Sequence, residues 1–326
     1  MSHQDPQTPP AAPGPAGSRP YPQPGIFALG APEHCYVEFD LRPGADAAGL
    51  VGSLAALSGP ETTVAGLSVV VGFRPELWVQ VGPAGPVPVR SFQPVEGPEI
   101  TFPATQHDAW VWVAGGTRDA VFDSVVRVFA ALDGLADPVS EVTGWIYRHD
   151  RDLTGFIDGT ENPAVLEAPD VAVAADGSSV VLYQQWRHHR SWAGLTVEQQ
   201  ERVIGRTRAD STELDAGIMA QDSHVSRNVV EEDGRELRIY RRNTAYGGPS
   251  DHGTVFVGFC AEARPLQVML ERMAGVGDGV RDALTRYTTA RSGAYYVVPS
   301  VTALAAFLPD QAPPSRPGGV ATRRRG

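Results

Sequence analysis

The chain contains no lysine. All 27 of its basic residues are arginine, against 38 acidic ones, so the 326 residues carry a formal charge of −11. The missing lysine excludes a Schiff-base enzyme, a P-loop phosphate site and a lysine-activated nucleophile. The shortage of positive charge argues against nucleic acid or an anionic membrane surface as a partner, because both are recognised through basic patches. Only two cysteines are present, Cys35 and Cys260, which excludes a disulfide framework and a cysteine-rich metal site. No apolar run reaches the roughly 18 residues of a membrane span. Neither a signal-peptide core nor paired arginines follow Met1, so the expected location is the cytoplasm.

Eight of the 28 prolines fall within residues 1–25, which predicts a disordered proline-rich arm. Residues 311–326 are again rich in proline and glycine and end in Arg323, Arg324 and Arg325; they read as a solvated tail. The arm carries one acid and one base, and the tail four arginines and no acid. The body between them therefore holds a net charge of −15. Such a body favours small or cationic substrates over anionic ones.

Apolar runs and helical stretches alternate through that body. Residues 34–41, 63–73 and a third run within 100–116 read as strands, the last with Trp110 and Trp112 on one face. Residues 46–57 and 117–132 read as helices, and 142–147 closes as a strand. The order strand, helix, strand, strand, helix, strand is the ferredoxin-like pattern of an α+β fold. Strands over 180–188, 237–243, 254–263 and 294–300, with helices over 196–206 and 265–273, repeat it more loosely. The expected organisation is two ferredoxin-like domains, 26–153 and 154–310, with duplicated four-stranded antiparallel sheets.

Three segments carry candidate chemistry. In TGFIDGTENP (154–163), glycines on both sides of Asp158 suggest a loop that fixes one carboxylate, although spacing alone fits an ordinary Asp-Gly turn. In MAQDSHVSRN (219–228), a single His224 is too little for zinc but enough for a haem iron, or else a structural histidine. In RIYRRNTAYGG (238–248), strand alternation puts Arg241 and Asn243 on one face and Arg242 on the other, as an anion site or a solvated edge.

Together, in this order and on this pattern, GFIDG (155–159), DSHVSR (222–227), RIYRRN and GAYYVVPS (293–300) resemble the dye-decolorizing peroxidases, and most of all their B-type bacterial subgroup. The resemblance covers roughly residues 30–308. It implies one haem b in the C-terminal domain, with His224 as proximal iron ligand and Asp282 as its acidic partner. It implies Asp158, Arg241 and Asn243 as the catalytic set, and Gly159, Thr160 and Glu161 along the haem. Arg206 and Arg227 are the arginines placed to pair with haem propionates. The implied reaction reduces hydrogen peroxide and oxidises dyes, phenolics or other small electron donors through a ferryl intermediate.

The alternatives are a haem carrier, a deferrochelatase-like haem-handling protein, and a haem-free module on the same fold. A homo-oligomer is expected, because ferredoxin-like sheets leave edges and faces that often pair. Packaging in an encapsulin shell is not expected, since the tail lacks the hydrophobic Leu/Ile-Gly pattern of such cargo.

Overall fold

The computed structural model describes residues 20–309 apart from 59–65, 84–88, 149 and 233; the arm up to residue 19 and the tail from 310 lie outside the described residues. In the first half, β1 (Glu33–Leu41), β2 (Ser68–Phe73), β3 (Ala109–Gly115) and β4 (Ala136–Trp145) stand in the spatial order β4-β1-β3-β2. Helices α1 (Ala47–Ala55) and α2 (Arg118–Leu132) are their crossovers. In the second half, β5 (Ser179–His188), β6 (Thr244–Gly248), β7 (Asp251–Cys260) and β8 (Ala294–Val298) repeat that order as β8-β5-β7-β6. Helices α3 (Val197–Ile204) and α4 (His224–Asn228) lie in the long connection from β5 to β6, and α5 (Arg264–Ala274) joins β7 to β8. The pairings within both sheets are antiparallel. The chain is α+β with two ferredoxin-like halves, as the element order predicted.

The two sheets also join at both edges. Val297 of β8 pairs with Phe73 of β2, and Ala245 and Tyr246 of β6 pair with Trp145 and Gly144 of β4. Eight strands thus close into a ring, and the edges on which a second copy was expected to pair are closed within the chain. Alternate residues point inward and outward. Tyr36, Trp110, Trp112, Tyr183, Phe259 and Tyr296 fill the interior, while Val37, Phe39, Val111 and Leu182 face the surrounding helices. An eight-stranded ring is just wide enough to be filled by side chains. Burial on both faces explains why β2, β3 and β8 read as near-continuous apolar runs, whereas β4 is largely exposed and does not.

The structure corrects several boundaries. Residues 20–25 were expected in the loose arm but are docked. Gln23 is fully buried, its amide nitrogen donating to the carbonyls of Val71 (2.9 Å) and Pro299 (3.0 Å) and its oxygen accepting from the Val71 amide (2.8 Å). The run 100–116 splits: Thr101–Phe102 pairs with Val95–Glu96, and β3 starts only at Ala109. Pro103 between them has no N–H to continue a ladder. The strand expected over 237–243 is regular only at Tyr240–Arg241, because the Asn243 side chain accepts the Val257 amide at 3.1 Å and interrupts the ladder. Thr117 sits at the N-cap of α2 without a side-chain cap bond, whereas Thr196 and Gln199 form a full capping box on α3. Among the described residues no helix is long and apolar enough to cross a membrane.

One titratable group sits at the mouth of the ring. His34 is 2% exposed; its Nδ1 accepts from the Trp112 indole at 3.0 Å, and its Nε2 donates to the Ala31 carbonyl at 2.8 Å. Burial pushes this imidazole down to about 4, against the bond to Ala31 and with the charge of Arg242 adding to the lowering. In the unfolded chain it takes up a proton near its ordinary value of about 6.5. Between those values the unfolded state binds more protons, so stability falls as pH falls through that window. His34→Gln, which keeps an acceptor for Trp112, is expected to flatten the loss between pH 6.5 and 4 by on the order of 3 kcal/mol. Denaturant midpoints at the two pH values check this; an unchanged pH slope contradicts it.

Candidate active site

A cavity of about 1340 Å³, counted to its open mouth, lies outside the ring on the second half. Its floor is the outer face of the sheet, where Gln184, Trp186 and His188 of β5 and Thr254 and Phe256 of β7 project at alternate positions. Met269, Leu270 and Met273 of α5 and His224 and Val225 of α4 form a wall. The GFIDG loop and residues 236–243 complete it.

His224 is the first residue of α4. Ser223 caps this helix, its hydroxyl accepting the Ser226 amide at 3.3 Å. A helix of five residues is not stable alone, and α5 holds it. Arg227 donates to the Arg272 carbonyl at 2.8 and 3.0 Å, and Arg272 donates back to the carbonyls of Ser226 (2.9 Å) and Arg227 (3.3 Å). The His224 Nδ1 lies 2.7 Å from Oδ2 of Asp282, a carboxylate with no solvent exposure. The other Asp282 oxygen accepts the Leu284 amide at 2.8 Å. The Asp222 carbonyl accepts the Ala283 amide at 2.8 Å, tying the two segments together. With Nδ1 engaged, Nε2 is the nitrogen left for the cavity. Asn228, one turn on, donates to the His224 carbonyl at 2.7 Å.

The GFIDG loop owes its shape to its glycines. Gly155 (φ 97°) and Gly159 (φ 76°) occupy the left-handed region, where a side chain is strained. A Cβ on Gly155 would meet the Arg208 guanidinium at 2.7 Å. Between them, the Asp158 amide donates to the Asp150 carbonyl at 2.8 Å, and its carboxylate accepts the Gly159 amide at 2.7 Å. Asn162, four residues on, clamps the facing segment: its oxygen accepts the Arg241 amide (2.8 Å) and its nitrogen donates to the Arg241 carbonyl (2.9 Å).

Asp158, Arg241 and Asn243 therefore line the cavity together with His224, Gly159, Thr160, Glu161 and Arg206. The Arg241 guanidinium has no hydrogen bond or ion pair among the described residues. Arg206 differs, because Glu161 and Glu213 pair with it and the Ser211 carbonyl accepts from it at 2.8 Å. Arg242 turns away, donating to the carbonyls of Ile26 (2.6 Å) and Ala28 (2.5 Å), with its guanidinium 5.0 Å above the Trp112 ring. Arg227 corrects an expectation. It is 2% exposed, pairs with Asp278 at 2.8 Å and does not line the cavity, so its charge fastens α4 and is not presented to a ligand there.

A second cavity shares the wall formed by Asp152, Asp158, Gly159, Arg241, Asn243 and Thr254, and His224 does not line it. Sequence reasoning missed Asn162, Asn228 and the set Asp152, Thr254 and His188. Only Asn162, inside the quoted TGFIDGTENP string, and Asn228, at the end of the quoted MAQDSHVSRN string, had any local signal.

Both halves of the chain match known proteins. Residues 23–146 match the family model for the N-terminal part of Dyp-type peroxidases, and residues 149–303 match that for the C-terminal part. A dye-decolorizing peroxidase of Mycolicibacterium paratuberculosis is 35% identical over 265 residues, covering 77% of this chain and 73% of that protein. The encapsulated DyP-type peroxidase of Mycobacterium smegmatis superposes with a TM-score of 0.83 at 29% identity, over 89% of this chain and 99% of that one. A DypB variant of Rhodococcus jostii RHA1 solved in complex with haem gives a TM-score of 0.80 at 32% identity, over 88% and 98%. The chain belongs to the dye-decolorizing peroxidase family.

Proposed function

We propose that the protein is a haem-dependent peroxidase that reduces hydrogen peroxide and oxidises dyes, phenolics or other small electron donors. The observation that carries this reading is the meeting, in one largely apolar cavity, of a histidine anchored on a buried carboxylate and an arginine without a partner. The residues fit haem. Among the described residues no group of three or more His, Cys, Asp or Glu could cage a bare metal ion, whereas one imidazole suits an iron that a macrocycle already holds. The apolar side chains of α5 and Phe256 suit the faces of such a ring.

Bound at His224, haem would supply an iron that binds peroxide and takes up its oxidising equivalents. His224 would hold it through Nε2, and the anionic Asp282 at Nδ1 makes the imidazole a stronger electron donor. Asp158 is placed to take the proton from the inner oxygen of peroxide and return it to the outer oxygen, which leaves as water. The free guanidinium of Arg241 stabilises the negative charge that develops as that bond breaks, and Asn162 fixes its backbone. Asn243 stands beside it. Gly159, Thr160 and Glu161 line the cavity where they would border the haem, and Arg206, also on the cavity, would pair with a propionate. The second cavity reaches the Asp158–Arg241 side without passing His224, which suits it as the route for peroxide.

Haem-loaded protein is expected to oxidise a dye with peroxide; haem binding without turnover would support a carrier instead. Arg241→Leu should retain the Soret band and react with peroxide on the order of 10²- to 10³-fold more slowly. Stopped-flow spectra showing an unchanged rate contradict the role given to Arg241. Asn162→Ala, which leaves the Arg241 side chain in place but unclamps its backbone, should slow the same step by about ten- to a hundredfold. A wild-type rate in that variant would reduce Asn162 to a bystander.

A further inference from the structure

The distal wall carries three side chains that this chemistry does not use. Asp152 accepts the Thr154 amide at 2.7 Å on one oxygen and the Thr254 hydroxyl on the other. The Thr254 oxygen lies 3.0 Å from Nε2 of His188. Thr254 has one proton, and it goes to the carboxylate. Its oxygen must therefore accept from His188, which fixes that imidazole as the Nε2–H tautomer. His188 is 8% exposed, and the partly exposed His252 stands edge to face with it at 6.2 Å toward solvent. Asp152 and Thr254 line both cavities, as Asp158 and Arg241 do.

The charge states suit transfer. For Asp152, burial opposes ionisation, but the charge His188 carries when protonated, the Thr254 hydroxyl and Thr154 outweigh it, so the net shift of the carboxyl is downward. For His188, burial lowers the imidazole, Asp152 opposes that, and His252 and His189 add to the lowering, so the net shift is downward. At neutral pH a neutral imidazole thus points through one hydroxyl at an ionised carboxylate.

We propose that His188, Thr254 and Asp152 form a proton relay that carries solvent protons to the Asp158–Arg241 end of the cavity. The inference rests on the peroxidase reading above. Reduction of peroxide to two waters consumes two electrons and two protons. A phenol delivers a proton with each electron, whereas a donor that gives only electrons does not, so its protons come from solvent. A proton arriving at His188 Nδ1 from the His252 side releases the Nε2 proton to Thr254. The Thr254 proton passes to Asp152, and Asp152 gives it to an oxygen in the cavity. Reorientation of the Thr254 hydroxyl toward Asp152 and re-equilibration of the His188 tautomer to Nε2–H then restore the starting state.

The test compares peroxide turnover of haem-loaded protein with ferrocyanide, an electron-only donor, and with a phenol, in H2O and D2O. Thr254→Val should lower ferrocyanide turnover about tenfold and change its solvent isotope effect, with phenol turnover falling less than half as far. Thr254→Ser, which keeps the hydroxyl, should behave as wild type, and His188→Gln as Thr254→Val. A second readout needs no haem: nitrogen-15 spectra of the cofactor-free protein should show His188 as Nε2–H, and Thr254→Val should weaken that preference. Equal losses with both donors, an unchanged isotope effect, or His188 as Nδ1–H would overturn the relay alone. Wild-type protein that oxidises neither donor overturns the peroxidase reading and the relay with it.

Discussion

The hydrogen bond between His224 and Asp282 governs the site because it decides what the imidazole can do. A neutral histidine can bind a metal through one nitrogen only if the other has a partner that fixes tautomer and ring orientation. Here the partner is a carboxylate with no solvent exposure, 2.7 Å away and held by the Leu284 amide on its far oxygen. The helix that presents His224 has five residues and owes its place to the reciprocal arginine bonds with α5. His224, its acidic partner and the wall of the cavity therefore stand or fall as one packed unit.

Opposite that unit is a rigid surface. The ring of eight strands has an interior filled by aromatic side chains, and its outer face on β5 and β7 supplies the cavity floor. Because both faces of these strands are buried, a register slip would exchange the interior set for the outer one, so the positions of Gln184, His188 and Thr254 are strongly determined. The GFIDG loop then adds Asp158, and the Asn162 clamp joins that loop to Arg241 across 79 residues of sequence. One asparagine thus sets the two groups proposed to act on peroxide in relation to each other.

Much of this was legible in the sequence. Strands with two buried faces announce themselves as apolar runs, and the element order gave the ferredoxin-like halves. Ring closure was not legible, since it depends on β2 meeting β8 and β4 meeting β6, pairs with no local signature. Asp158, His224 and Arg241 stood out through their strings. His188 and Asp152 did not, because the contacts that give them meaning run through Thr254, 66 and 102 residues away. Arg227 misled for a related reason. It lies in the segment of the resemblance that carries His224, but its side chain points to Arg272 and Asp278, a choice made by α5 and not by its own neighbours. The lack of lysine keeps its significance: the cation without a partner at the cavity, among the described residues, is Arg241, and a guanidinium stays charged throughout turnover.

The central claim is that the buried Asp282 carboxylate would make His224 a strongly donating ligand to a haem iron. The most direct measurement is the iron–histidine stretching band in resonance Raman spectra of ferrous haem-loaded protein, compared with Asp282→Asn. The account predicts a band at high frequency in the wild type that shifts down when the carboxylate becomes an amide. A band that is absent, or that stays in place in the variant, would contradict it.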